Sequence, residues 1–303
     1  MAAITSRSAR YSSFGPASVL TITKVEIADP APGKVRVAVR AAGINPSDYK
    51  TRNGSKPEWN PKLPAGIGRE MAGVVEAVGE GVTQFSVGDE VFGLVAGSAV
   101  AEYVLTNPAN LAAKPGALDW VTAGGLSLAG QTAFNSVGAV SLTVADTVLV
   151  SAAAGGVGVL ASQLALRTGA RVIGTASAAN HDFLESLGVI PVAYGADLES
   201  RLRELAPITA ALDNHGADTV ETAIALGIAR DRINTIAADA ETLGVRGEGR
   251  GPINTQTLTQ LADLVVAGEL VVPIEQTYPL DDVVAAFEHL EGGHARGKIV
   301  IEI

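Results

Sequence analysis

The sequence predicts an α/β protein in which a β-rich, barrel-like part is joined to a doubly wound parallel sheet. Three observations carry this. The first third is rich in β-branched residues and broken by Gly and Pro into short strand-like runs. From Thr147 onward, strand-like and helix-like segments alternate. Within that part, "VLVSAAAGGVGVLASQLALRTGARVIGTAS" (Val148–Ser177) reads as a strand, a glycine turn, a helix and a second strand.

The bulk numbers set limits. A chain of 303 residues suffices for one large or two ordinary domains. Apolar residues make up 47% and charged residues 18%, which excludes disorder by composition. A formal net charge of −10 repels phosphate backbones and anionic lipid, so neither nucleic acid nor membrane is the expected partner. No cysteine is present, which removes disulfides and thiolate metal sites and fits a cytoplasmic protein. "MAAITSRSARYSSFG" lacks an apolar core of signal-peptide length. No apolar run reaches the roughly 20 residues that span a bilayer.

In chain order, "KVRVAVRAAGI" (Lys34–Ile44) reads as a strand ending at "NPSD". "EMAGVVEAVGEGV", "GDEVFGLV" and "SAVAEYVLT" (Ser98–Thr106) read as further strands. The pattern changes near Trp120, where "WVTAGGLSLAGQTAFNSVG" reads as helix. Strands are expected at Thr147–Ser151, Arg171–Thr175, Pro191–Tyr194, Ile208–Asp213 and Arg232–Ile236, with helices between them, notably Val157–Thr168 and His181–Leu187. The tail "PLDDVVAAFEHLEGGHARGKIVIEI" reads as a helix begun by Pro279 and Asp281, then a strand.

Ala153-Ala154-Gly155-Gly156-Val157-Gly158 is a G-x-G-x-x-G pattern whose first Gly is Ala153. It follows a strand and opens a helix, the context a dinucleotide-binding turn requires. The middle Gly admits a pyrophosphate, the last lets the helix pack close to the sheet, and the helix N-terminus offers free N–H groups. An NAD site usually ends its second strand with Asp or Glu on the ribose 2′-OH. Here the strand ends Gly174-Thr175-Ala176-Ser177, and no carboxylate follows until Asp182. Ala176 leaves room for a 2′-phosphate, Ser177 offers it a hydrogen bond, and His181 adds charge when protonated. NADPH is therefore the expected cofactor. Tyr194, at the end of the third strand, is either a wall of that phosphate pocket or ordinary packing.

Several segments, in order along essentially the whole chain, resemble one family: "FGPASVL", "AAGINPSDYKTRNG", "GREMAGVVEAVGEGVTQFSVGDEVFG", "AGQTAFNSV", "AAAGGVG" and "GKIVIEI". Together they resemble the zinc-independent medium-chain dehydrogenases/reductases, in the zeta-crystallin-like quinone oxidoreductase branch. The resemblance implies a GroES-like catalytic domain of residues 1–124 and 270–303 and a Rossmann NADP-binding domain of residues 125–269. It implies a cleft between them and a homodimer. It places Asn45 at the nicotinamide or substrate and Thr132 near the nicotinamide. Gly155, Gly156, Val157 and Gly158 would cradle the pyrophosphate, and Ser177, His181 and Tyr194 would surround the 2′-phosphate. Lys298 would reach the cofactor from the tail. His181 stands about where several relatives carry Lys, and no contact is assigned in residues 237–251.

Zinc alcohol dehydrogenases polarise a carbonyl with a metal held by Cys and His. Here Cys is absent, and His181, His215, His289 and His294 show no ligand spacing; His289 and His294 read as solvated positions near a helix end. Without a Lewis acid, hydride goes more easily to a conjugated acceptor, a quinone or an α,β-unsaturated carbonyl, whose product anion is delocalised. That anion needs a hydrogen-bond donor. "NPSDYK" offers Asn45, Tyr49 and Lys50, with Arg52 nearby. For Tyr49, Lys50 and Arg52, a solvated or packed loop is an equal reading, and Asp48 reads as a cap or ion-pair partner. The expected activity is zinc-free, NADPH-dependent reduction of a quinone or other conjugated carbonyl. Alkenal, enone or enoyl-thioester reduction shares the same features. An NADPH-binding sensor or structural protein is the reading from another class.

Overall fold

The alternating and apolar run Val35–Ile44 forms the longest strand of the computed structural model, which describes residues 3–205, 207–249 and 251–303. Met1 and Ala2 of the N-terminal stretch and Arg250 of the 237–251 segment lie outside the described residues. The N-terminal part contains β1 (Ile4–Tyr11), β2 (Thr21–Ile27), β3 (Val35–Ile44), α1 (Pro46–Arg52), β4 (Ala65–Gly66), β5 (Glu70–Val78), β6 (Glu90–Leu94), β7 (Tyr103–Thr106), β8 (Leu111–Ala113) and α2 (Trp120–Ala139). The middle contains β9 (Thr147–Val150), α3 (Gly156–Arg167), β10 (Arg171–Ala176), α4 (His181–Ser186), β11 (Ile190–Ala193), α5 (Leu198–Leu205), β12 (Ala210–Asp213), α6 (Ala217–Ala225), β13 (Ile233–Thr235) and α7 (Ala240–Leu243). The tail adds α8 (Thr255–Val266), β14 (Ile274–Pro279), α9 (Val283–Glu291) and β15 (Lys298–Glu302).

Two compact units result. One comprises the residues up to Leu128 together with Ile253–Ile303; the other is Ala129–Pro252. The resemblance placed these joins at 124/125 and 269/270, with α8 in the second part; in the structure α8 groups with the first unit.

In the first unit, the tail strands continue the N-terminal sheet, in the order β14-β15-β3-β5-β6-β8 with β7 also paired to β3. A second sheet runs β2-β1-β4. The inward faces of these strands bury Val35, Val37, Met71, Val75, Val91, Leu111, Ile299 and Ile301 in one core. Helix α9 closes on it with Val283, Ala286 and Phe287, an i, i+3, i+4 stripe.

The second unit is a five-stranded parallel sheet, β11-β10-β9-β12-β13. Its strands are near-continuous apolar runs because helices cover a doubly wound sheet on both faces. Leu149, Ile173, Ala211 and Ile233 lie in its core. Strand order reverses beside β9, and ligands of such sheets bind at the carboxyl ends at that switch point.

Two expectations need correction. Ser98–Thr106 is not one strand; only Tyr103–Thr106 is. Upstream, the backbone divides its hydrogen bonds between two partners: Ala99 and Val100 donate to Gly68 and Ile67, while Ala9 donates to Val100. No single ladder can form there. His289 is not a solvated end; it is half-buried on α9 and hydrogen-bonded to the Tyr278 hydroxyl at 3.0 Å.

Candidate active site

The glycine turn lies between β9 and α3 at the carboxyl end of the parallel sheet. Ala152 takes a left-handed conformation (φ 45°), and a Cβ on Gly158 would sit 2.1 Å from the Ala152 carbonyl oxygen. Gly158 is therefore required by the turn itself. Gly155 is different. Its φ of −78° and ψ of 173° suit any residue, and a Cβ there would meet only the Ala152 carbonyl oxygen, at 3.2 Å. That one tight contact is the chain's own reason for glycine at 155; a ligand passing close to the backbone gives a second. Gly156, Val157 and Gly158 are the first residues of α3, so their N–H groups precede the helical ladder.

The strand ends around this turn are held by Asp213. Its buried carboxylate accepts from Ser151 Oγ (2.9 Å), Thr235 Oγ1 (2.6 Å) and the N–H groups of His215 and Gly216. Ser151 Oγ in turn accepts from the Asn214 N–H, while Asn214 Oδ1 is buried without a hydrogen-bond partner.

Beyond β10, Ser177 is half-buried and its Oγ accepts from Asn180 Nδ2 at 3.3 Å. His181 opens α4, and its Nε2 is buried without a partner. Tyr194 is 58% exposed. Ala176 and Ala193 are paired in register, so Ser177 and Tyr194 leave adjacent strand ends. A residue absent from the sequence-based set joins them. Arg201 on α5 donates from Nη2 to the Ala193 carbonyl at 2.8 Å, and its Nε is buried without a partner. It brings a guanidinium to the end of β11, although it lies 24 positions beyond Ser177 in sequence, too far for a local basic motif to reveal. Orphaned nitrogens on His181 and Arg201, with the open face at Gly155, fit the phosphates of a nucleotide, and the orphaned Asn214 Oδ1 fits a hydroxyl.

Thr132 is half-buried on α2, and a Cβ on Gly249 would lie 3.3 Å from its Cγ2. The segment that supplies Gly249 is fastened by Asn234, which sequence reasoning also missed. Asn234 Nδ2 donates to the Glu248 carbonyl (2.7 Å) and to Ser136 Oγ (2.8 Å), and its Oδ1 accepts from the Glu248 N–H (2.7 Å).

In the first unit, β3 ends where Pro46 starts α1, which places Asn45 at the N-cap. Asp48 Oδ2 accepts from the Asn45 N–H at 2.8 Å, as a cap residue should. The Asn45 side chain also reaches residues of other strands. Its Nδ2 donates to Glu70 Oε1 at 2.7 Å, and its Oδ1 accepts from Lys298 Nζ. Lys298 also donates to Glu70 Oε1 at 2.8 Å and to the Ile44 carbonyl at 3.2 Å. All three N–H groups of this ammonium are thus spent inside the protein. The resemblance implied that Lys298 reaches a cofactor; in the structure its side chain is buried, 3% exposed, and bonded to Asn45. Glu70 is the other missed residue; Asp48, read as a cap or ion-pair partner, caps α1. Burial pushes the Asp48 carboxyl up to about 7, and the Glu70 charge adds to this, against the Asn45 N–H, Lys298 and Arg69.

The remaining α1 residues divide. Tyr49 packs on the first unit's core, and burial, then the Glu291 charge, raises its hydroxyl above the usual range. Lys50 is half-buried. Arg52 is fully buried: it pairs with Glu291 at 2.7 Å and stacks over Phe287 at 5.5 Å, fastening α1 to α9. Of the α1 candidates, Asn45 is the one bonded into the Glu70–Lys298 cluster.

Comparison with known proteins agrees with this architecture. Residues 31–134 match the family "Alcohol dehydrogenase GroES-like domain" and residues 131–301 match "Zinc-binding dehydrogenase". A quinone oxidoreductase of Pseudomonas aeruginosa is 30% identical, over 96% of this chain and 98% of its own. An NADPH-dependent alkenal/one oxidoreductase of Arabidopsis thaliana is 29% identical, over 96% and 78%. The Escherichia coli quinone oxidoreductase, solved with NADPH, is 28% identical and superimposes with a TM-score of 0.89 over 98% of this chain and 100% of that one.

The second family's name raises zinc. The donors here do not fit it: the chain has no cysteine, and among the described residues no group of three or more His, Asp or Glu is placed to hold a metal. The buried Glu70 carboxylate is already taken by an ammonium, an amide and the Leu128 N–H. With GroES-like and Rossmann-like parts in place and the two family matches running from residue 31 to residue 301, the chain belongs to the medium-chain dehydrogenase/reductase family, as an oxidoreductase of the quinone oxidoreductase type.

Proposed function

We propose that the protein is a zinc-independent reductase that uses NADPH to reduce quinones or other conjugated carbonyls. The observation that carries the cofactor reading is the turn at Gly155, whose backbone conformation suits any residue and where an added Cβ would meet a single atom, the Ala152 carbonyl oxygen at 3.2 Å. NADPH, when bound, supplies the hydride. The N–H groups opening α3 hold its pyrophosphate, and Ser177, His181 and Arg201 meet the 2′-phosphate that distinguishes NADPH from NADH. Tyr194 flanks that phosphate from its exposed position, and Thr132 lies on the nicotinamide side.

Asn45 is the donor to the acceptor oxygen. One of its two amide hydrogens is given to Glu70; the second remains for the negative charge that grows on the oxygen as hydride arrives. The Lys298 ammonium on Oδ1 withdraws electron density and strengthens that second N–H as a donor. Water supplies the proton. Tyr49 and Lys50 flank Asn45 and act on acceptor fit rather than on charge. The Arabidopsis relative's name favours a second reading, reduction of the alkene of an alkenal or enone. A cytoplasmic homodimer completes the proposal; among the described residues no helix is long and apolar enough to cross a membrane.

The test is the loss of reduced-nicotinamide absorbance with chelator-treated protein, offered NADPH or NADH and a panel of quinones, alkenals and enones. Quinone turnover with NADPH preferred supports the first reading, and alkene turnover the second. A bound nucleotide that reduces no acceptor overturns both.

A further inference from the structure

Glu70 opens strand β5 and is fully buried. Its Oε1 accepts from Asn45 Nδ2 (2.7 Å) and Lys298 Nζ (2.8 Å), and its Oε2 accepts from the Leu128 N–H (2.7 Å). The backbone donor on one oxygen and the two side-chain donors on the other leave the carboxylate no freedom to turn. The consequence falls on Asn45. An amide rotated by 180° swaps its oxygen for its NH2 group. At this position the swap would press Oδ1 against a carboxylate and NH2 against an ammonium, two repulsions in a buried setting. Glu70 and Lys298 therefore select one of the two orientations.

We propose that Glu70 is a positioning residue for the reduction: it fixes the Asn45 amide so that an N–H, not the carbonyl oxygen, faces the acceptor. This rests on the reading of Asn45 as donor. Lys298 is the second half of the same device, a clamp on the amide oxygen. A glutamine at 70 has both a donor and an acceptor end. It removes one of the two constraints and leaves Lys298 alone to oppose the flip, so the flipped orientation, which offers oxygen to a developing anion, gains population.

The experiment measures kcat and the KM for NADPH in Glu70→Gln, Asn45→Ala and the double variant, with a quinone as acceptor. Asn45→Ala is expected to lower kcat on the order of 10²-fold, as removal of an oxyanion donor does. Glu70→Gln is expected to lower kcat about 10-fold with KM for NADPH unchanged, and to cost nothing further in the Asn45→Ala background. A purely structural role predicts the same loss in both backgrounds, and that result overturns the proposal while leaving Asn45 as donor. Full kcat in Asn45→Ala overturns the donor reading and this proposal with it. If Glu70→Gln alone does not fold, Glu70→Gln/Lys298→Met removes both buried charges and is compared in the same two backgrounds.

Discussion

Lys298 Nζ lies 2.8 Å from Glu70 Oε1, joining the last strand of the chain to the start of β5, with both side chains buried. Removing one partner of such a pair strands the other charge. Lys298→Met is expected to lower unfolding free energy by about 3–5 kcal/mol, and the paired Glu70→Gln/Lys298→Met variant by clearly less. Urea denaturation of the two variants beside the parent checks this.

Asp48 makes stability depend on pH. Its carboxyl titrates near 7 in the folded protein, against about 3.9 in an unfolded chain. Between these values the native state holds a proton that the unfolded state has lost. The contribution is full below about pH 4 and is lost as pH rises through about 7, with a slope of up to about 1.4 kcal/mol per pH unit. Asp146 acts in the opposite sense and at lower pH. Hydrogen bonds from Thr209, Thr143 and Arg232 lower it to about 2, so its contribution is full well above about pH 4 and is lost as pH falls from there through about 2. Asp48→Asn keeps an acceptor for the Asn45 N–H and removes the charge. Its denaturation midpoint is expected to vary less than the parent's between about pH 5 and 8, and to match or exceed it at the upper end.

Two neighbouring glycines are expected to fail differently. Gly158→Ala drives a methyl into the Ala152 carbonyl and is expected to destabilise by about 1–3 kcal/mol or more. Gly155→Ala meets a single contact at 3.2 Å and is expected to stay within about 1 kcal/mol of the parent while losing NADPH affinity. Thermal melts with and without NADPH separate the two.

Under the proposed 2′-phosphate contact, Arg201→Ala is expected to raise the KM for NADPH about 10-fold and leave that for NADH unchanged. Equal effects on the two nucleotides would remove Arg201 from the phosphate site.

Much of this was legible in the sequence where a local pattern carries the information. The parallel strands from Thr147 appear as apolar runs, and the helices at Val157 and His181 begin within one residue of where periodicity puts them. The Asn-Pro pair announced the start of α1. What the sequence hid is made by tertiary pairing. Glu70 lies 25 positions from Asn45 and 228 from Lys298, so its three donors meet only after the tail strand joins β3. Lys298 was singled out through the resemblance as reaching the cofactor from the tail, but its engagement with Asn45 was not legible. Ser98–Ala101 failed as a strand because its hydrogen-bond partners come from two directions, which residue pattern does not encode.

The most direct test of the account is a single turnover. Metal-free protein loaded with one equivalent of NADPH is mixed with excess quinone, and nicotinamide oxidation is followed in time. The account predicts that the bound nucleotide is oxidised as fast as steady-state turnover requires, and on the order of 10²-fold more slowly in Asn45→Ala. NADPH that stays bound and reduced in the presence of both quinones and enones would contradict it, and would make the protein a nucleotide-binding one rather than a reductase.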